Sequence, residues 1–282
     1  MKTLNTTWYH WVVRAHHPHK PFSDFESAQS AWMSLEKLFP EKIAAVLMPN
    51  HCHLILPGLA EPAGVYRRLG GMLSGVSRRS GIEDLWQPIP TPAMIPDKHH
   101  LRRQIRYVAL NPCRKALCTD PLEWYWSTYR DIMGAILGKR EPHLHLATLL
   151  GEPPHHFRAR FHKYVSGDPS VNISSTPLPF PEIPKKWPER AIMEILHASA
   201  AALRTLPARV ETTGPLRTVF IHLAHRHGWK QASLLAEICK LHVETVRRIL
   251  KRPTPVGIEA ADLCLGDIRL RRLPGSGKTQ QG

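Results

Sequence analysis

Acidic residues are scarce in this chain: 23 Asp and Glu stand against 38 Lys and Arg, a formal net charge of +15 at pH 7. Cysteine is scarce too. The five are scattered, odd in number and form no Cys-x-x-Cys pair, which argues against a disulfide framework or a zinc ribbon and fits a reduced compartment. Long apolar runs are also missing. The longest weakly charged stretch, Ile43 to Ala60, is interrupted by Pro49, Asn50, two histidines and Pro57, so it cannot span a bilayer as one helix. The opening MKTLNTTWYHWVV lacks the apolar core of a secretory signal. These shortages lead to the expectation of a soluble, cytoplasmic protein with no membrane partner.

What is present points to a polyanion. The excess of positive charge attracts nucleic acid, although a ribosome-associated or merely soluble basic protein has the same composition. With 282 residues and 43% hydrophobic content, the chain can fold into two domains, or one with an appendage.

The order of elements is read from periodicity. Thr6 to Ala15 is rich in aromatic and β-branched residues and reads as a strand. From Asp24, an N-cap, the apolar residues Phe25, Ala28, Trp32, Leu35 and Phe39 recur at helical spacing until Pro40. Then KIAAVLMP and HCHLILP flank Pro49-Asn50 as a β-hairpin. Two basic helices follow, about 62–79 and 97–111, separated by a proline-rich loop, QPIPTPAMIP. Strand, helix, strand pair, helix, helix is an α+β order, with helices packed on an antiparallel sheet. We expect four segments: a catalytic domain at 1–135, a Pro/His-rich linker at 136–188 with one helix near 155–165, a helical domain at 189–268, and a tail at 269–282. The GSGKT in the tail lacks the glycine spacing of a phosphate loop and reads as tail.

Two constellations carry chemistry. His51 and His53 lie two apart on a strand, so both imidazoles project from one face and can share a divalent ion if a third ligand arrives from elsewhere. The spacing alone is weak, because His-x-His occurs four times in the chain, at 17/19, 51/53, 143/145 and 225/227. Only the second sits in a strongly apolar strand; satisfied core or surface histidines remain the competing reading. In the second constellation, the helix KHHLRRQIRYVALN gathers Leu101, Ile105, Val108 and Ala109 on its buried side. Tyr107 and Asn111 share a polar stripe at i, i+4, with Pro112 expected to end the helix. A tyrosine among arginines suits attack on a phosphodiester; an interfacial tyrosine anchoring a solvated helix fits the same pattern.

Several segments together resemble the HUH-type single-tyrosine transposases, in particular the REP-associated tyrosine transposases. The matching stretches are YHWVVRA (9–15), AAVLMPNHCHLILPG (44–58), LWQ (85–87) and RRQIRYVALNPCRKALCTDPLEWYWSTYRDIMG (102–134), within about the first 135 residues. The resemblance implies a ferredoxin-like HUH fold in which His51, His53 and Asn111 hold Mg²⁺ or Mn²⁺. It also implies that Tyr107 attacks single-stranded DNA to leave a 5′-phosphotyrosine and a free 3′-hydroxyl. The partners implied are single-stranded and hairpin DNA, met by a monomer or homodimer in a bacterial, nucleoid-associated setting. Candidates for phosphate contact are Arg67, Arg68, Arg78 and Arg79 of the first basic helix, with Arg102, Arg103, Arg106, Arg114 and Lys115 in and after the second. Trp124, Tyr125, Trp126 and Tyr129 are read mainly as packing that locks the tyrosine helix, with base stacking as the other role.

Near the C-terminus, LLAEICKLHVETVRRILKR reads as a helix-turn-helix. Ala236 stands where the first helix needs a small residue and Val246 where the second packs back; Lys240 holds the turn position usually given to glycine. The second helix would present Thr245, Arg247 and Arg248 to the major groove of duplex DNA. An ordinary helical hairpin fits the same residues. The function expected is a metal-dependent DNA-strand transferase. Its alternatives are a catalytically silent DNA-binding regulator derived from a transposase and a metal nuclease that uses water.

Overall fold

The computed structural model describes residues 7–58, 62–138, 142–168, 179–181 and 191–272. The chain forms two compact units, Met1–Tyr129 with Leu144–Pro177, and Arg130–His143 with Leu178–Gly282.

The first unit is α+β. Strand β1 (Trp8–Arg14) leads through α1 (Phe25–Leu38) to the hairpin β2 (Ala44–Met48) and β3 (His51–Pro57), and then through α2 (Pro62–Ser80) to β4 (Ala93–Ile95). The four strands form one antiparallel sheet in the order β2-β3-β1-β4, the βαββαβ connectivity of ferredoxin-like folds. Helix α3 (Lys98–Arg114) follows, then a 3₁₀ turn (Pro121–Glu123), α4 (Thr128–Ile132), α5 (Pro142–Leu150) and α6 (Phe157–Ser166).

Local chemistry explains the boundaries. Asp24 caps α1 by accepting from the Ser27 amide at 2.8 Å, and Ala28, Ala31, Trp32 and Leu35 form its buried stripe. At the other end, the Arg68 guanidinium of α2 lies 4.5 Å above the Phe39 ring, donates to the Leu38 carbonyl at 2.6 Å and reaches Glu41 at 2.8 Å. Arg68, expected to meet phosphate, instead closes the end of α1. The hairpin turns tightly, with Met48 opposite His51, and the Pro49 and Asn50 carbonyls accept from Phe22 and Ala15.

Strand β4 lies inside the proline-rich segment expected to be loop. Its three residues pair with the start of β1, while Trp86 bridges Ala15 at the far end. An edge strand tolerates neighbouring prolines because only one side of its backbone is bonded. Helix α3 also runs beyond its expected end. Pro112 sits within the last turn.

The compact units divide the chain at other places than the expected domains. The stretch read as a linker contains two helices, and α6 lies against α3. Conversely, Arg130–His143 belongs with the C-terminal helices. The end of the expected linker, 169–188, falls largely outside the described residues, as does the tail beyond 272.

The second unit is built around α7 (Ile192–Ala202), whose Ala198, Ser199, Ala200, Ala201 and Ala202 are all buried. Small side chains let neighbouring helices approach closely. A 3₁₀ turn (Pro207–Glu211) leads to α8 (Gly214–Arg226), α9 (Ala232–Cys239), α10 (Val243–Leu250), α11 (Glu259–Gly266) and α12 (Ile268–Arg271), and α8, α11 and α12 pack on α7. Buried ions tie the unit together. Arg130 is fully buried and donates to the Leu270 carbonyl. Asp131 takes a bidentate pair from Arg204 at 3.0 and 3.1 Å. Among the described residues no helix is long and apolar enough to cross a membrane.

The buried Asp131–Arg204 pair predicts an asymmetric mutational response. Arg204→Met leaves a buried carboxylate without its partner and should cost about 3–5 kcal/mol, whereas the double change with Asp131→Leu should recover most of that loss. Urea denaturation of the full chain checks this.

Candidate active site

Strand periodicity builds one side of the site. β3 places His51, His53 and Ile55 on one face of the sheet, and the β1 register sets Val12 opposite His53 and His10 opposite Ile55. His10 and His53 are therefore diagonal neighbours. Their rings stack at 5.1 Å, and His10 Nε2 lies 3.0 Å from His53 Nδ1. His51 and His53 have ring centroids 5.0 Å apart. All three histidines are buried.

Helix α3 supplies the other side. Asp97 caps it by accepting from the His100 amide at 2.8 Å, and Leu101, Ile105, Val108 and Ala109 are buried as their spacing predicts. Asn111 is not on a solvated stripe. It is 4% exposed, and its Nδ2 lies 3.0 Å from His53 Nε2. Tyr107, one turn earlier, is 40% exposed. Its ring centroid lies 5.8 Å from that of His53 and 6.1 Å from that of His10, both edge-on.

The donor geometry suits an ion. His51 Nδ1 is 2.6 Å from the Asn50 side-chain oxygen, so that nitrogen carries the proton and Nε2 presents its lone pair. His53 likewise turns Nε2 toward Asn111. Two imidazoles and an amide from facing elements thus share one small volume, a donor set that fits a divalent cation. Among the described residues no group of three or more His, Cys, Asp and Glu is placed to hold a metal; the set found here needs the amide of Asn111 as a member.

Burial governs the electrostatics. Desolvation pushes His10 down to about 4. His51 is also lowered to about 4, by desolvation first and then the Arg14 charge. His53 falls to about 2, by desolvation and then by His10, His51 and Arg14. All three are neutral at pH 7, as metal-binding imidazoles must be.

The arginines divide. Arg67, Arg78, Arg79, Arg103 and Lys115 are exposed. Arg102 reaches Glu152 at 3.4 Å, while Arg106 and Arg114 meet the buried Asp168 at 3.3 and 3.6 Å. The guanidinium groups of Arg102 and Arg106 cover Tyr164, at 4.2 and 4.5 Å from its ring centroid. Arg114 lies 4.9 Å over the Tyr107 ring. Sequence reasoning missed His10, Tyr164 and Asp168. A signal existed only for the first, a lone polar residue at an inward position of an apolar strand.

The aromatic run after α3 is packing. Tyr125, Trp126 and Tyr129 are buried, the Leu47 amide donates to the Trp126 carbonyl, and Trp124 Nε1 donates to the Leu47 carbonyl, both at 2.9 Å. The run thus borders the edge of β2. In the second unit, α9 and α10 are joined by a turn with Lys240 in the left-handed region at φ 48°. Ala236 and Val246 are buried, Arg247 and Arg248 are exposed, and Thr245 is half-buried.

No family model and no curated protein matches the chain. Among solved structures it is similar to a REP-associated tyrosine transposase bound to a REP hairpin. The identity is 21%, over 45% of this chain and 78% of that one, with a TM-score of 0.39.

Because the three site histidines are held neutral, stability should depend on pH in a defined direction. Between their ordinary 6.5 and about 4 the unfolded chain binds protons that the folded chain refuses. Stability is therefore highest above pH 6.5 and declines as pH falls, by up to about 1.4 kcal/mol per pH unit for each group. Urea midpoints at pH 7, 6 and 5 should drop steadily, and His51→Gln should flatten that slope.

Proposed function

We propose that this chain is a DNA-strand transferase that cleaves and rejoins single-stranded DNA through Tyr107. The observation that carries the reading is the placement of a half-exposed phenol ring 5.8 Å from the His53 ring, above two buried imidazoles and a buried amide. In this reading His51 and His53, through Nε2, and Asn111, with its amide turned over to present the oxygen in place of the nitrogen now facing His53, would hold Mg²⁺ or Mn²⁺. When bound, the ion supplies positive charge that polarises the scissile phosphate.

The protein's own groups do the rest. Tyr107 forms an O–P bond as the P–O3′ bond breaks. The phenol proton passes by way of solvent to the departing 3′-oxygen, leaving a 5′-phosphotyrosine and a free 3′-hydroxyl. A second 3′-hydroxyl reverses the step without an external energy source, because the phosphoester is conserved. Arg114, stacked on the Tyr107 ring, places positive charge where the phenolate develops. Exposed Arg67, Arg78, Arg79, Arg103 and Lys115 give the strand a cationic path. The α9–α10 pair acts as a duplex-reading module, with Arg247 and Arg248 on its open side.

Incubation of labelled single-stranded hairpin DNA with Mn²⁺ should trap a covalent adduct that Tyr107→Phe abolishes and His51→Ala reduces at least about 100-fold. Cutting that persists in Tyr107→Phe but not in His51→Ala would indicate a nuclease using water. Hairpin binding with no adduct under any metal would indicate a silent regulator. Separately, removing both Arg247 and Arg248 should weaken duplex binding and lower the salt slope by roughly 1–2.

A further inference from the structure

His10 lies outside the donor set, yet it is buried, polar and placed in the interior of β1. Its Nε2 stands 3.0 Å from Nδ1 of His53, and the two rings stack with an interplanar angle of 24°. On the opposite edge of His53, Nε2 meets the Asn111 amide nitrogen at 3.0 Å. An amide nitrogen can only donate, so His53 Nε2 accepts and its single proton resides on Nδ1. That proton is donated to His10 Nε2, and the proton of His10 then lies on Nδ1. His51 is held in the same sense by Asn50, whose side-chain oxygen sits 2.6 Å from its Nδ1.

We infer that His10 is a positioning residue: it anchors Nδ1–H of His53, fixing the tautomer and ring plane that leave Nε2 for a divalent cation. The inference rests on the proposed role of His51, His53 and Asn111. The pairing is that of an outer-shell acceptor behind a metal-ligating imidazole. It is unusual only in that the acceptor is a second imidazole. His10 is not itself a ligand in this arrangement, because the nitrogen it turns toward His53 faces Nδ1, the edge away from Asn111. The same ring also stands edge-on to Tyr107 at 6.1 Å, so one side chain supports both the ion ligand and the nucleophile.

Two measurements on the full chain test it. In metal-free wild type, long-range ¹H–¹⁵N spectra of the imidazoles should show His53 and His51 as Nδ1–H tautomers, assigned with the single variants. A His53 protonated on Nε2 overturns the proposal, because His10 would then be the donor. The second measurement is Mn²⁺ binding by isothermal titration without DNA. His10→Leu should weaken binding about 10–100-fold. His10→Gln, whose amide oxygen can accept the same proton, should stay within about 3-fold of wild type, with the two variants melting alike. Wild-type affinity in His10→Leu, while His51→Ala loses Mn²⁺, overturns the role of His10 and leaves the metal reading intact. Wild type that binds no Mn²⁺ overturns that reading and this one together. Should His10→Leu fail to fold, the wild-type tautomer and the His10→Gln isotherm decide.

Discussion

The structure turns on the pairing register between β1 and β3. A strand alternates its side chains with a period of two, so a slip of one residue would send every imidazole to the opposite face. The observed register sets His10 beside His53 and brings both, with His51, under the C-terminal half of α3. That register is itself held by the apolar residues on the other face. Trp11, Val13, Leu54 and Leu56 are buried there, and Trp11 meets Tyr66 of α2 edge-on at 4.9 Å. The geometry of the polar face is thus a consequence of hydrophobic burial on the apolar one.

Helix α3 completes the arrangement because one turn of it faces two environments. Asn111 is sealed against His53, while Tyr107 is open to solvent. Four residues along a helix leave a rotation of about 40° between side chains, and of this pair only Asn111 is buried, at 4% exposure against 40% for Tyr107. Burial keeps the imidazoles uncharged at neutral pH, which leaves one ring-nitrogen lone pair on each.

The basic character of the chain is less uniform in space than in composition. Arg68 closes a helix end, and Arg102, Arg106 and Arg114 meet Glu152 and Asp168 from the segment after α5. Acidic residues are few, and two of them, Glu152 and Asp168, stand beside arginines of α3. Among the basic residues of the first unit read as phosphate contacts, Arg67, Arg78, Arg79, Arg103 and Lys115 are exposed, as is Arg114 beside Asp168. In the second unit the same economy appears inside the fold, where Asp131 and Arg204 are buried together. An ion pair of this kind constrains which partner a buried charge can have more than it adds to net stability.

The sequence by itself determined the elements with strong periodicity. These were β1, α1, the β2–β3 hairpin, the apolar stripe of α3 and the α9–α10 pair, because each writes its burial into spacing of two or of three to four residues. It also paired His51 with His53 and Tyr107 with Asn111, since an alternating strand and a helical wheel predict which side chains of one element share a face; that the two pairs form one group was an expectation from the family resemblance. Tertiary structure alone decided the rest. A three-residue edge strand among prolines carries too few residues to show a period. The helix at 142–150 lies in a Pro/His-rich stretch where only the one near 155–165 was expected. The partners of Arg106 and Arg114 come from more than fifty residues away, and His10 meets His53 across 43 residues. Such contacts depend on strand register and helix packing, neither of which leaves a periodic trace in the chain.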